Sequence, residues 1–255
     1  TMIAALTWDD GSTQIFRPVG SRTLTVGGQT FSVDKTLDMP SGTLTMQDAY
    51  SGAQNLIITS GTFDANNFAV TTGSFQNTAS TGTTVMGSGL WTITGTSFDP
   101  AAGMTITPGT STIKFTDNSA SSKTFEGRGK TYANFWNATA GTGVVIISSS
   151  NTFTDFKIDA NRTQHFTAAT TTTMTSLTAG SGVTITSSTA ATHTLSDGAG
   201  TNTVESATIS YSIATGGATW NAWSTLGNVD GGINTGWVFT APSAGAFRLL
   251  LLGVG

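Results

Sequence analysis

The densest group of side chains that could do chemistry lies in the stretch SSSNTFTDFKIDANRT, residues 148–163. Asp155 and Asp159 could serve as the two carboxylates of a glycan-cleaving enzyme, which stand roughly 5 to 9.5 Å apart in such sites. With the nearby Arg162 they also have the composition of a calcium-dependent lyase site. Calcium takes six to eight oxygen ligands, so both chemistries depend on which other side chains the fold brings close.

The backbone spacing argues against both chemistries. Four residues along one extended strand cover about 13 Å, at about 3.3 Å per residue, which is too far for a carboxylate pair unless the strand bends. The residues around Asp155 and Asp159 supply hydroxyl and amide groups rather than further carboxylates. We therefore expect a solvated Asp–Lys–Asp face with weak ion pairing, and we predict no catalytic residue, no metal site and no bound cofactor.

The other candidate groups are isolated from one another. His165 and His193 are far apart in the sequence, no Ser–His–Asp grouping can be placed around them, and His165 is expected at the surface. Four short segments fit no phosphate-binding or calcium-binding loop and are interpreted as turns: GRGK (127–130), AGTG (140–143), WDDGST (8–13) and NVDGG (228–232). The sequence therefore offers no assembled active site.

The composition restricts the partners of the chain. Only 9% of its 255 residues are charged, against about 25% in an ordinary soluble domain, so the expected surface is neutral and rich in hydroxyl groups. The net charge is −4, and the ten lysine and arginine residues are scattered singly. We therefore expect no nucleic-acid partner and no membrane partner. The chain has no cysteine, which excludes disulfides and thiol chemistry.

Short β-strands dominate the expected secondary structure. β-Branched residues are abundant, and Gly, Asn and Ser interrupt the apolar segments every few residues, which is typical of many short strands and little helix. Six segments alternate apolar residues with threonine as half-buried strands do: TLTV (23–26), GTLTM (42–46), LWTITG (90–95), STIKF (111–115), GVVII (143–147) and GVTIT (182–186). The chain is therefore predicted to be all-β.

A period of about twenty residues indicates how these strands are arranged. Four segments recur at steps of 20, 21 and 21 residues: TIKF (112–115), YANF (132–135), FTDF (153–156) and MTSL (174–177). A second apolar series recurs in parallel, at Phe125, Ile146, Phe166 and Ile185. Two apolar positions that repeat in phase are typical of a chain that coils and stacks on itself. We predict a parallel β-solenoid whose rungs, each one turn of the coil, hold about twenty residues and stack about 4.8 Å apart.

The period also predicts which side chains face outward. In the stretch 148–163 three apolar residues are expected to point inward on either side of a bend: Phe153, Phe156 and Ile158. Stacking the rungs predicts two outward columns, Lys114–Asn134–Asp155–Ser176 and Thr116–Trp136–Lys157–Thr178, and neither stacks two carboxylates. Trp136 is predicted to face outward as a contact for carbohydrate or protein, although a slip of one residue buries it and exposes Phe135.

Three regions are predicted along the chain: residues 1–50 as first rungs or an N-terminal attachment segment, residues 51–212 as the β-helix, and residues 213–255 as a C-terminal cap with a terminal strand. The aromatic-rich segment 218–239 is the predicted cap, because a solenoid must cover its open strand edges. The apolar end FRLLLLGVG (247–255) fits a final strand docked on the cap or on a neighbouring subunit. Two other folds remain open, a disordered low-complexity chain and a pair of Greek-key sandwiches.

Several segments resemble a known module: SGTFDANNFAVTTGSFQ, SGLWTITGTSFDP, STIKFTDNSASSKTFEGRGKTYANFW, SNTFTDFKID, and ATGGATWNAW with DGGINTGWVFTAP. In their order and amino-acid sequence they resemble a β-helix module of the pectin-lyase-like class. That module is found in virion proteins of tailed bacteriophages and in phage-like metagenomic sequences. The resemblance spans roughly residues 55–242. It rests on turn and core residues, so it indicates the fold more strongly than an activity.

The resemblance implies a right-handed parallel β-helix that serves as a fibre, spike or decoration on the head or tail of a bacteriophage particle. It also implies location in the virion, contacts with other virion proteins, assembly as a symmetric homo-oligomer such as a trimer, and host-surface glycan as the ligand if one is bound. Because the sequence shows no carboxylate pair, we expect a structural protein rather than an enzyme. The alternatives are a tailspike polysaccharide depolymerase and a bacterial surface adhesin on the same scaffold.

Overall fold

The chain is almost entirely β-strand. The computed structural model describes residues 14–17, 19–76 and 81–242. Within these ranges every pair of strands is parallel. The predicted turn at 8–13 and the apolar segment at 247–255 lie outside the described residues.

The largest sheet, sheet I, contains fourteen strands, eleven of which follow one another along a single path. Its strands are β1 (Gln14–Phe16), β2 (Arg22–Leu24), β4 (Lys35–Met46), β6 (Leu56–Asp64), β8 (Phe75–Gln76), β9 (Thr83–Val85), β11 (Ser97–Asp99), β12 (Thr105–Thr107), β14 (Lys123–Glu126), β16 (Val145–Ser148), β18 (Thr163–Phe166), β21 (Thr184–Ser187), β24 (Thr208–Ile209) and β27 (Val229–Asp230). The strands β2, β9 and β12 pair beside that path.

A second sheet, sheet II, contains eight strands and takes one strand from each of eight successive rungs. Its strands are β3 (Thr30–Phe31), β5 (Tyr50–Gly52), β7 (Val70–Thr72), β10 (Leu90–Ile93), β13 (Thr112–Phe115), β15 (Asn134–Asn137), β17 (Asp155–Ile158) and β20 (Ser176–Ala179). They pair in chain order, so each rung lies directly on the one before it.

Two sheets of three strands complete the later rungs. Sheet III contains β19 (Thr171–Thr173), β22 (His193–Asp197) and β25 (Ser212–Gly216), and sheet IV contains β23 (Thr201–Thr203), β26 (Thr219–Asn221) and β28 (Trp237–Val238). The described ranges contain a single helical segment, a 3-10 turn at Ser224–Leu226. None of the described segments is a helix of the length and apolar character that crossing a membrane requires.

This arrangement is a parallel β-solenoid, as the sequence period predicts. Strands that neighbour one another in a sheet are about one rung apart in the chain, as in the pairing of Asp155 with Ser176. A Greek-key sandwich is built from antiparallel strands, so the parallel pairing excludes that alternative for the described residues. The continuous stacked core equally excludes a disordered chain there.

Inward side chains stack from rung to rung and form one core. In sheet I the ring of Phe98 lies between Phe75 and Phe125, with centroids 4.9 and 5.1 Å apart. In sheet II Phe135 stacks on Phe156 at 4.7 Å. All five rings are almost completely buried. Because each ring contacts its equivalent in the next rung, the core holds successive turns of the coil together.

The stretch 148–163 is part of one rung, and its predicted orientation is confirmed. The three residues expected to point inward are buried: Phe153, Phe156 and Ile158. The chain bends at Thr154, between Phe153 and Phe156, and it turns at Ser149 and Asn161, which adopt left-handed φ angles of 69° and 59°. The spacing of its apolar residues therefore reflects a bend between two inward-facing segments.

The predicted register is wrong by two residues at two places. Thr112 pairs with Asn134, a step of 22 residues, whereas the sequence period had aligned it with Tyr132. Ile185 is inward but pairs with Gln164 instead of Phe166. Both errors shift a strand by an even number of residues. Because side chains alternate along a strand, the inward residues stay inward while their neighbours change.

One member of the second apolar series also needs correction. Ile147, rather than Ile146, lies in register with Phe125 and Phe166. The run at 144–147 consists of four consecutive apolar residues, so it shows no alternation from which the inward face could be predicted. The structure buries Ile147 and leaves Ile146 partly exposed.

Parallel pairing continues across both predicted region boundaries. β3 pairs with β5 across the boundary at residue 50, and β22 pairs with β25 across the boundary at residue 212. The described part of residues 1–50 therefore forms the first rungs, which is one of the two predicted alternatives. The β-helix extends beyond residues 51–212 at both ends.

The aromatic-rich segment 218–239, which is the predicted cap, forms the last described rungs. Trp220 of β26 pairs with Trp237 of β28, both are buried, and their rings lie 5.1 Å apart. Asp230 of β27 pairs with Ile209, is exposed and accepts a hydrogen bond of 2.6 Å from Asn234. A charged side chain on an edge strand discourages further strand pairing.

Candidate functional site

A column of basic and aromatic side chains runs down the outer face of sheet II. The pairing register places Trp136 of β15 between Lys114 of β13 and Lys157 of β17. The Nζ atom of Lys114 lies 3.8 Å from the centroid of the indole ring, and the Nζ atom of Lys157 lies 3.9 Å from it. Each such cation–π contact contributes about 0.5–1 kcal/mol at an exposed site. We name these three residues the lysine–tryptophan ladder.

The ladder determines what Trp136 can contact. Phe135 is buried and Trp136 is partly exposed, so the predicted outward orientation is confirmed. The predicted column is wrong at one member, because Lys114 rather than Thr116 lies beside the indole ring. The two lysines come from the strands on either side of β15, so both faces of the ring are covered. Trp136 therefore joins three rungs and offers no open face for a sugar to stack on.

The structure keeps the two carboxylates of the stretch 148–163 apart. Asp155 lies in the predicted column beside Ser176, whose hydroxyl donates a hydrogen bond to it. Asp159 accepts a hydrogen bond of 2.9 Å from the indole N–H of Trp136, and one of its oxygens lies 3.6 Å from Nζ of Lys157. Each carboxylate is therefore engaged by its own neighbours.

Arg162 does not complete a site with these carboxylates. Its guanidinium takes part in no ion pair with the described residues, and its buried Nε atom has no hydrogen-bond partner among them. The group Asp155, Asp159 and Arg162 is therefore not assembled. Across residues 14–17, 19–76 and 81–242, no cluster of three or more acidic or histidine side chains could hold a metal ion.

A second acidic pair, which the sequence analysis missed, lies on sheet I. β11 ends at Asp99 and β14 ends at Glu126, and the residues directly before them, Phe98 and Phe125, pair with each other. The two acidic residues therefore lie on neighbouring strands, one position beyond the last paired residues, and neighbouring strands are about 4.8 Å apart. A separation of about 5–5.5 Å between carboxyl groups is typical of retaining glycosidases. We name Asp99 and Glu126 the acidic pair.

Both members of the acidic pair have polar partners. Nε and Nη2 of Arg128 donate hydrogen bonds of 3.0 and 3.1 Å to the two carboxylate oxygens of Asp99. The hydroxyl of Ser149 donates to Glu126. Tyr132 is buried next to them; its burial, and then the negative charges of Asp99 and Glu126, raise the pKa of its phenol. Tyr132 therefore stays neutral beneath the acidic pair.

The twenty-residue period conceals the acidic pair. Asp99 and Glu126 are 27 residues apart, because the chain between them forms the additional strand β12 and a longer turn. The one signal in the sequence is local: each carboxylate directly follows a phenylalanine, as Phe98–Asp99 and Phe125–Glu126. Both phenylalanines are inward, so both carboxylates face outward.

The two histidines lie in different environments. His165 is half-buried on the outer face of β18, as predicted, and its burial lowers its pKa. His193 is buried in β22 and stacks on Phe166 at 4.7 Å, and neither of its ring nitrogens has a hydrogen-bond partner among the described residues. Burial, and then the nearby His165, lower the pKa of His193 to about 4. His193 is therefore a neutral core residue near pH 7.

Similarity to known proteins gives no further guide to function: no protein-family model matches the chain, and no match was found among the curated proteins or the solved structures. The functional interpretation depends on the geometry of the described side chains and on the motif resemblance.

Proposed function

We propose that the chain is a structural protein of a tailed-bacteriophage particle, a fibre, spike or decoration of the head or tail. The motif resemblance supports the virion context. The continuous coil supports a structural role, because every rung is joined to the next by backbone hydrogen bonds and by a shared core.

One observation carries the structural role. The outward side chains that are best suited to chemistry connect one rung to another. Lys114 and Lys157 cover both faces of Trp136, and Arg128 binds Asp99 across a step of 29 residues. Side chains used in this way stiffen the coil.

The proposed partners follow from the same role. We assign the chain to the extracellular virion, in contact with other virion proteins and assembled as a symmetric homo-oligomer such as a trimer. Host-surface glycan is the proposed ligand if the part carrying the chain touches the host. The low charged fraction of 9% suits close packing against other proteins, since few charges have to be desolvated.

Particles purified from the source of the sequence test this proposal. They are washed in high salt, banded by density and analysed by quantitative mass spectrometry. We expect the chain to band with the particles at a fixed ratio to the major capsid protein. Its absence from the particles, with recovery in the bacterial envelope fraction, contradicts the proposal and supports the surface adhesin.

The acidic pair favours a second candidate, the polysaccharide depolymerase. In a retaining mechanism one carboxylate attacks the sugar while the other protonates the leaving oxygen and then activates water. The test measures new reducing ends after host polysaccharide is incubated with the purified chain. For this candidate, Asp99→Asn and Glu126→Gln abolish cleavage, while the matched control Asp155→Asn retains it. Cleavage that survives both changes, or that never occurs, excludes a catalytic role of the pair.

A further inference from the structure

Three side chains on the inner face of sheet III have hydrogen-bonding groups that no described residue satisfies. His193 lies at an inward position of β22, and both of its ring nitrogens are unpaired among the described residues. Thr172 lies inward on β19, and its hydroxyl is also unpaired among them. Ser212 of β25 accepts a hydrogen bond of 3.0 Å from Trp237, but its own hydroxyl donates to none of the described residues. We name His193, Thr172 and Ser212 the polar core group.

The polar core group is closed off from solvent and confined to three adjacent strands. The exposed fraction of His193 is 1%, and those of Thr172 and Ser212 are 0%. Ser212 pairs directly with His193, so their backbones lie about 4.8 Å apart. Thr172 pairs with Leu195, two residues beyond His193 on the same inward face. Three groups with unused hydrogen-bonding capacity therefore share one small part of the core.

Unpaired polar groups in a core are unfavourable and uncommon. A buried donor or acceptor without a partner loses its hydration and gains no bond in return, so folded chains pair nearly all such groups with protein atoms or with ordered water. The preceding rungs follow this rule: Asn137 donates to Gln164 at 3.1 Å, and Gln164 donates to a backbone carbonyl at 2.9 Å. The polar core group therefore requires a partner that the described side chains do not supply.

We propose that the polar core group binds internal water. A neutral imidazole has one donor and one acceptor nitrogen, and a hydroxyl both donates and accepts. Water matches these groups because each molecule donates and accepts, and a buried water typically makes about three hydrogen bonds to such partners. In the proposed site one water joins a ring nitrogen of His193 to the hydroxyl of Ser212, and a second joins the other ring nitrogen to the hydroxyl of Thr172.

Other ligands fit the site less well. The ring of His193 stacks on Phe166 at 4.7 Å, so the ring edge, which carries the nitrogens, is the part that meets a ligand. The inward carboxylate of the same strand, Asp197, accepts hydrogen bonds from Asn202 and from the backbone N–H of Ala199, so it is already engaged and does not make the site a cation site. A site without an opening to solvent admits water more readily than a sugar or a nucleotide. The water site is independent of the virion role.

High-resolution crystal structures of three proteins test the proposal: the wild type, His193→Phe and the matched control His165→Phe. We expect water about 2.7–3.2 Å from a ring nitrogen of His193 in the wild type and in the control. We expect no such water in His193→Phe, whose ring keeps the stack on Phe166. A wild-type structure that shows other internal waters, but in which both nitrogens of His193 contact only carbon atoms, overturns the proposal.

A pair of valine substitutions on one strand gives a second test in solution. Thr172→Val keeps the shape of the side chain and removes its hydroxyl from the core. Thr171→Val makes the same change at a partly exposed position next to it, so it is the matched control. If water binds the hydroxyl of Thr172, its removal loses a hydrogen bond, and we expect Thr172→Val to melt at a lower temperature than Thr171→Val. In a dry core the change removes an unpaired group, so an equal or higher melting temperature for Thr172→Val overturns the proposal.

Discussion

Trp136 lies between Lys114 and Lys157, and its indole N–H donates a hydrogen bond to Asp159. An outward tryptophan on a neutral surface favours a prediction of ligand contact, because its ring faces are large and apolar. Its neighbours on the adjacent rungs determine whether those faces are open. The neighbours depend on a register that the sequence period misplaced by two residues at β13. The outward orientation of Trp136 could therefore be predicted from the sequence, but its contacts with the two lysines could not.

The lysine–tryptophan ladder makes a prediction about stability. Trp136→Ala removes both cation–π contacts and leaves Lys114 and Lys157 facing each other. We expect the free energy of unfolding in urea to fall by about 1–3 kcal/mol, with a larger loss at low salt, where the two ammonium groups are less screened. Trp136→Phe keeps a ring and serves as the control, with a smaller loss. An alanine variant that is as stable as the wild type contradicts the stabilising role of the ladder.

His193 makes the core sensitive to acid. Burial, and then His165, lower its pKa to about 4 in the folded chain, from 6.5 when unperturbed. Folding therefore favours the neutral ring, so its contribution to stability is complete above pH 6.5 and is lost as the pH falls from 6.5 towards 4. In His193→Phe, which can still stack on Phe166, the loss of unfolding free energy over this window should be smaller by on the order of 3 kcal/mol. Thermal melts across the window measure this, and parallel curves for the two proteins refute it.

At the scale of elements, the stacked phenylalanines of sheet I hold successive strands in place. Phe125 lies 5.1 Å from Phe98 and 4.9 Å from Tyr132, centroid to centroid. Phe125→Ala leaves a cavity that these rigid rings cannot fill, so we expect it to lower the free energy of unfolding by about 3–5 kcal/mol. Thr124→Ala, which changes an outward residue of the same strand, is the control in urea titrations. Similar losses in the two variants contradict a core held by this stack.

The parallel coil could be predicted because apolar residues alternate within strands and repeat between rungs. Phe156 and Leu177 illustrate this, since both periods agree and the observed pairing is the predicted one. Turn length is not constrained in the same way, because residues outside the sheets can be added without disturbing the core. The acidic pair depends on such an addition, because the long turn between β13 and β14 contributes to its 27-residue step. A search for a fixed repeat length in the sequence therefore does not find the acidic pair.

At the scale of the whole molecule, each rung contacts only the rungs next to it. A solenoid of this kind is close to one-dimensional, so a complete rung can be removed and the ends rejoined. Deletion of residues 155–175 removes β17, β18 and β19 and brings Ser176 to the position of Asp155. Asn134 then pairs with Ser176, and inward residues again face inward.

We expect this deletion variant to keep its β-sheet circular dichroism and a cooperative melt. Deletion of residues 155–165 removes about half a rung and places turn residues opposite strands, so it should not fold. The two variants differ only in how much is removed from one starting point, which makes the second a matched control. Collapse of both, or survival of both, contradicts independent stacking of whole rungs.

Immunogold electron microscopy of purified particles, with antibody against this chain, tests the virion role most directly. We expect gold on the particles: on capsid faces or vertices for a decoration or head fibre, and at the tail tip for a receptor-binding spike. Gold confined to the surfaces of uninfected bacterial cells, with unlabelled particles, contradicts the virion role and identifies the chain as a surface adhesin.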